Sequence, residues 1–176
     1  MISRPILFAF ALSLVLAGSG SLIAGEEKGK PFSHADSGVS FVVPPSLAHD
    51  AKASREKPFS AVFTKGKPPF NTSVHYKQVS EKQSLEDWIK AEKVQAKKRG
   101  VEKELTWTPT KVGGHKAILL VRKSRFGEIH YLVFASPKNK RLYGFWHMTS
   151  KNADPKRECV AALQSMAKSL TFPKKK

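Results

Sequence analysis

An internal disulfide is excluded at once, because the 176 residues hold a single cysteine, Cys159. Stability must come from packing, which a domain of about 140 residues can supply. Acids are scarce too: 14 Asp and Glu stand against 31 Lys and Arg, for a formal net charge of +17. Glycoside hydrolysis needs two carboxylates facing one cleft, and none of Glu102, Glu104 and Glu128 stands out for that work. Six histidines occur (His34, His49, His75, His115, His130 and His147), yet there is no H-x-H, H-E-x-x-H or Cys/His cluster. The spacing of a zinc site is therefore missing. No G-x-S-x-G elbow falls after residue 24, and neither "KGKPPF" nor the "GG" at 113–114 fits a phosphate loop. The sequence predicts no enzyme, no metal and no cofactor. There is no internal repeat, and no low-complexity segment beyond the terminal lysines.

Long apolar runs are few. "PILFAFALSLVLA" follows Arg4 and leads into the small-residue run "GSGSLIA". This is the order of an export signal, with cleavage expected after Ala24 and Leu22 and Ala24 at −3 and −1. The alternative is a retained anchor, since residues 6–24 just reach across a hydrocarbon core of about 30 Å. The run has no cysteine for a lipoprotein anchor. Cleavage predicts an exported protein, periplasmic or extracellular, with no transmembrane span. Residues 25–37 read as a flexible leader, 38–173 as one domain and 174–176 as a basic tail.

Within the domain, "GVSFVVPP" (38–45) predicts a short strand, 47–57 a loop and 58–65 a strand. Pro68 and Pro69 make 66–71 a turn. Residues 72–80 alternate, with Val74 and Tyr76 on one face and His75, Lys77 and Val79 on the other. A helix is predicted over 84–99. Ser84 caps it, Leu85, Trp88, Ile89 and Ala96 share one stripe, and Gly100 stops it. Four strands follow at 101–112, 115–124, 127–136 and 140–150, joined by links short enough for antiparallel hairpins. A second helix is predicted over 155–170, striped by Cys159, Leu163, Met166 and Leu170.

The late strands are apolar on both faces. In "KRLYGFWHMTS" (140–150), Leu142, Gly144, Trp146 and Met148 oppose Tyr143, Phe145 and His147. Ala117, Leu119 and Val121 likewise oppose Ile118 and Leu120, while Tyr131 and Val133 oppose Leu132 and Phe134. A strand apolar on both sides has to be covered on both sides. The expected fold is α+β: a mainly antiparallel sheet sandwiched between two amphipathic helices. His130 and His147 lie on consecutive hairpin strands, so register decides whether they are neighbours.

"GVSFVVPPSL", "SLEDWIKAEK", "KVGGHKAILLVRK", "RLYGFWHMTS" and "CVAALQSMAKSLTF" occur in that order over about 38–172. In order and spacing they resemble the PsbP-like family. That family includes the extrinsic PsbP protein of photosystem II, DcrB-like bacterial envelope proteins and a small Ran-binding nuclear-transport factor. The resemblance implies a three-layer α/β/α sandwich with docking or accessory roles, and it transfers no catalytic residue. The short, bacterial-looking N-terminus points to the envelope rather than to a thylakoid or a nucleus.

Excess positive charge is what remains to be used, and such charge informs about partners rather than fold. Lys90, Lys93 and Lys97 align along the first helix, and Lys98 and Arg99 continue the run. Arg122, Lys123 and Arg125 precede one turn, Lys138, Lys140 and Arg141 crowd the next, and Lys174–Lys176 close the chain. The turns at 122–125 and 138–141 belong at opposite ends of the strand 127–136. The first eight of these cations are the candidate surface for an anionic partner: an acidic protein, a lipid head group or an anionic envelope polymer. Export makes nucleic acid the least fitting partner, and mutual repulsion favours a monomer. Two alternatives stand beside this reading. One is a carrier of a small apolar ligand, its pocket between sheet and helix lined by Trp88, Phe145 and Trp146. The other is a metal-dependent hydrolase.

Overall fold

A computed structural model describes residues 29–65, 73–125, 127–150 and 157–173. The signal, the turn at 66–71, Pro155 and the lysine tail lie outside them. Strands β1 (Lys30–His34) and β2 (Val39–Val43) form a two-stranded hairpin. The main sheet follows: β3 (Ala48–Glu56), β4 (Phe59–Thr64), β5 (Ser73–Ser80), β6 (Leu105–Val112), β7 (His115–Ser124), β8 (Gly127–Ala135) and β9 (Leu142–Ser150). Its spatial order is β3-β4-β5-β9-β8-β7-β6, antiparallel throughout. Helix α1 (Leu85–Lys98) follows β5, a single 3-10 turn (Glu102–Glu104) precedes β6, and α2 (Glu158–Lys168) follows β9.

The two-sided strands are covered on both sides, as their pattern requires. On one face, α2 and the β1–β2 hairpin bury Phe63, Val74, Tyr76, Phe134, Tyr143 and Phe145 together with Cys159, Leu163 and Met166. On the other, α1 lays Leu85 and Trp88 over Ile118, Leu120, Val133 and Leu142. Helix α1 begins where local chemistry says it should. The Ser84 hydroxyl accepts the Asp87 amide at 3.1 Å, Glu86 and Asp87 occupy the first turn, and Lys97 and Lys98 the last.

Gly144 is required where it stands. A Cβ there would come 2.6 Å from the Leu132 carbonyl oxygen and 2.9 Å from the Tyr131 ring, which lies across the gap.

Two expectations need correction. The leader assigned to 25–37 contains β1, whose Phe32 packs against the rings of Phe41 and Phe63 at 5.0 and 5.2 Å. The strand expected at 38–45 is present as β2, the partner of β1 in that hairpin. Residues 47–57, expected as a loop, form β3, an edge strand almost wholly in solvent. It lacks a period because an edge strand with little to bury has no apolar face to display. Its register breaks between Asp50 and Arg55, where the Asp50 carboxylate accepts the amides of Lys52 and Ala53 at 3.0 Å each.

Candidate functional site

The hairpins sort the cations to the two ends of the sheet, and the ends differ in how charge is matched. At one end lie the β7–β8 turn and the start of α2. There the Arg122 Nε donates to Glu104 Oε2 at 2.9 Å, and Lys65 pairs with Glu158. Glu128 collects three partners: Arg157 Nη2 at 2.8 Å, His130 Nε2 at 3.0 Å and Lys123 Nζ at 3.9 Å. Partial burial pushes the Glu128 carboxyl up, but the His130 hydrogen bond and the charges of Arg157 and Lys123 outweigh it and hold it below the ordinary range. The register sets His130 directly opposite His147, whose Nδ1–H donates to the Ser73 carbonyl at 2.8 Å. Among the described residues, no group of three or more His, Cys, Asp or Glu side chains is placed to hold a metal ion.

The opposite end is built from three turns and the end of the chain. The β1–β2 turn is tied to the β8–β9 turn by Lys138 Nζ donating to the Ala35 carbonyl at 2.5 Å and Asn139 Nδ2 to the Asp36 carbonyl at 2.9 Å. Beneath them the buried Ser37 accepts the Tyr76 hydroxyl at 2.9 Å, and its carbonyl accepts the Ser136 hydroxyl at 2.6 Å. Phe172 meets His115 edge-on at 4.8 Å beside the β6–β7 turn. Pro173 lies against Gly38, as does the Lys138 side chain. Five cations gather here: Lys111, Lys116, Lys138 and Lys140 are exposed and Arg141 is half-buried. None has a carboxylate at ion-pair distance among the described residues. The nearest acids are Asp36 in the first turn and Glu81 and Glu86, which share a cleft with Lys82, Lys116 and Lys140 at the foot of α1.

The eight candidate cations are therefore dispersed. Lys90, Lys93, Lys97, Lys98 and Arg99 are exposed on or just after α1. Lys90 lies 4.0 Å from Asp87, and the Lys93 ammonium stands 5.7 Å from the Trp107 ring. Arg122 and Lys123, adjacent on β7, take opposite faces and are matched by Glu104 and Glu128; Arg125 is exposed in the next turn. The set does not form one patch. From the sequence, Lys138, Lys140 and Arg141 were grouped in the basic surface but left out of the eight candidate cations, and Lys111 and Lys116 were passed over. The available signal was hairpin geometry, because residues flanking alternate turns of a meander share one end of the sheet.

The aromatic trio is also divided. Adjacent on β9, Phe145 and Trp146 point to opposite faces. Phe145 is in the α2-side core, whereas Trp88 belongs to the α1 side and meets Tyr131 at 5.7 Å. The three cannot line one cavity. Trp146 is half-buried, with His75 edge-on at 5.0 Å and the Lys77 ammonium at 5.3 Å, itself 5.0 Å from the Tyr131 ring. Burial lowers the Lys77 pKa. A hollow between sheet and helix lies elsewhere, among Val112, Leu119, Leu132, Leu163 and Ala167, with a volume of about 280 Å³. That is at the small end for ligand sites.

No protein-family model and no curated protein matches the chain. Solved structures do. The solution structure of cyanobacterial PsbP (CyanoP) from Synechocystis sp. PCC 6803 superposes with a TM-score of 0.54 at 14% identity, covering 90% of this chain and 99% of that one. Weaker likenesses are to a point mutant of the protein Mog1, with a TM-score of 0.49, and to the Ran-binding protein Mog1p of Saccharomyces cerevisiae, at 0.45. Both are 10% identical, over 82% of this chain and 95% of theirs. The fold is PsbP-like.

Proposed function

We propose that this PsbP-like sandwich is an exported, non-enzymatic docking protein that engages an anionic partner through the basic end of its sheet. One observation carries the reading: five cations share that end without an acid at ion-pair distance among the described residues, while four of the cations at the other end, Arg122, Lys123, Arg157 and Lys65, each have one. A matched cation adds little to association, because its field is already cancelled. An unmatched group of them steers and holds an anion. Export is supported by the N-terminal signal pattern, and no helix among the described residues is long and apolar enough to cross a membrane.

Charge-driven docking is salt-sensitive, since exposed charges are screened beyond about 8–10 Å near physiological ionic strength. Binding of the mature chain to immobilised polyglutamate, a generic polyanion, should weaken at least about tenfold when salt rises from about 0.05 M to about 0.5 M. Affinity that stays level over that range would count against the reading.

A further inference from the structure

We propose that the hollow between α2 and the β6 edge of the sheet binds a small amphiphile: an unbranched apolar chain of about eight to ten carbons with a carboxylate head. The inference goes beyond the docking reading and does not depend on it.

The hollow follows from the widths of the parts. A helix with its side chains is about 10–12 Å across and strands lie about 4.8 Å apart, so one helix shelters about two strands. Helix α2 rests on β5 and β9, with β2 beside it. In the order β5-β9-β8-β7-β6, that leaves β7 and β6 beyond its flank. Burial shows the result. Leu119 of β7 stands directly opposite Leu132 of β8, yet Leu132 is buried and Leu119 only half-buried. Thr108 and Thr110 of β6, on the same face, are exposed.

The lining divides by chemistry. Val112, Leu119, Leu132, Leu163 and Ala167 make an apolar floor and wall around about 280 Å³. An apolar cavity of about 150 Å³ accepts a benzene, so this one has room for one short chain and not for a lipid with two tails. Ala167 leaves that room. It sits one turn after Leu163, where a larger side chain would fill the hollow.

The rim is polar, with Thr110, Gln164 and Lys168 exposed. Gln164 and Lys168 are one turn apart and stand together along the helix side of the mouth. Lys111 adds a second cation on the β6 side, and no acid lines the hollow among the described residues. This balance of charge selects an anionic head over a neutral or cationic one. Nor is Lys168 needed to cap its helix. The Ser165 and Ala167 carbonyls accept the Ser169 and Leu170 amides at 3.0 and 3.3 Å, and the Met166 carbonyl accepts the Ser169 hydroxyl at 3.0 Å.

Titration of the mature chain with decanoate below its micelle range tests this, followed by proton–carbon correlation spectra of the leucine methyls. Saturable shifts are expected at Leu119, Leu132 and Leu163, with Leu85 and Leu120 on the α1 side unmoved. Decanol and decyltrimethylammonium share the chain and lack the negative head, and each should bind about threefold more weakly. Ala167→Leu puts about three carbons into the hollow and should weaken decanoate binding at least about tenfold. Lys168→Gln should cost about threefold for decanoate and less than about 1.5-fold for decanol. Lys90→Gln, on α1, controls for overall charge and should change decanoate binding by less than about 1.5-fold. Leucine methyls that stay still, shifts centred on the α1 side, or decanol binding as tightly as decanoate overturns the inference. So does an Ala167→Leu variant that keeps the fold by circular dichroism and binds as the unaltered chain does. The methyl shifts of the unaltered chain decide the site whether or not that variant folds. Polyglutamate binding bears on the docking reading alone, so either reading can fail without the other.

Discussion

His75 shows how a single side chain couples this fold to pH. Its ring lies edge-on to Trp146 on the α1 side of the sheet, Nε2 is 3.0 Å from the Ser73 hydroxyl, and Lys77 is two residues along on the same face. Burial first, then the charges of Lys77 and His147, lower its pKa from 6.5 to about 4. In the unfolded chain the imidazole takes its proton at the higher value. Between the two values the unfolded state binds more protons than the folded one, so stability falls as pH drops from about 7 toward 4. Glu128 acts in the same direction: its depressed carboxyl stabilises the fold above its unfolded pKa and loses that contribution on acidification. The urea midpoint should therefore decline through this window, and His75→Gln should decline less steeply. A variant with the wild-type slope would contradict the assignment. That His75 shares a face with Lys77 was legible from the period of two. That it is half-buried against Trp146 was not, because the neighbour comes from β9, some 70 residues away.

At the scale of elements, legibility follows the distance over which each element's order is set. Helix α1 carries its own cap, stripe and stop within 84–100, and β7, β8 and β9 announce themselves by apolar runs separated by short turns. These were readable. Strand β1 was not. "KPFSH" has one large apolar residue and no alternation. Its order comes from pairing with β2 and from Phe32, which reaches Phe41, Phe63 and Tyr76 at 5.0, 5.2 and 6.3 Å. Strand β3 was missed for the related reason that an edge strand need not be amphipathic. The segment 29–37 is thus part of the folded body, and Phe32→Ala should destabilise the protein by about 2–3 kcal/mol, below the range for a fully buried Phe. Were the segment a flexible leader, the unfolding midpoint would stay within the shift expected of a surface change, about 0.5 kcal/mol.

At the scale of the molecule, the sandwich uses its apolar surface on both faces of the sheet and leaves charge as its outward chemistry. The sequence shows a surplus of cations and even the opposition of the turns at 122–125 and 138–141 across β8. It does not show which cations are matched. That depends on where the few acids land, and Glu104, Glu128 and Glu158 come from three separate segments to pair Arg122, Lys123, Arg157 and Lys65 at one pole. A candidate surface drawn from cation runs alone therefore favoured Arg122 and Lys123, which are matched, over Lys111 and Lys116, which are not.

Amide hydrogen exchange of the mature chain, with and without saturating polyglutamate, tests the central claim most directly. The account predicts added protection confined to 111–116 and 136–141, with α1 and the β7–β8 pole unchanged. Protection centred on 85–99, or none beyond what the free protein shows while polyglutamate is bound, would contradict it.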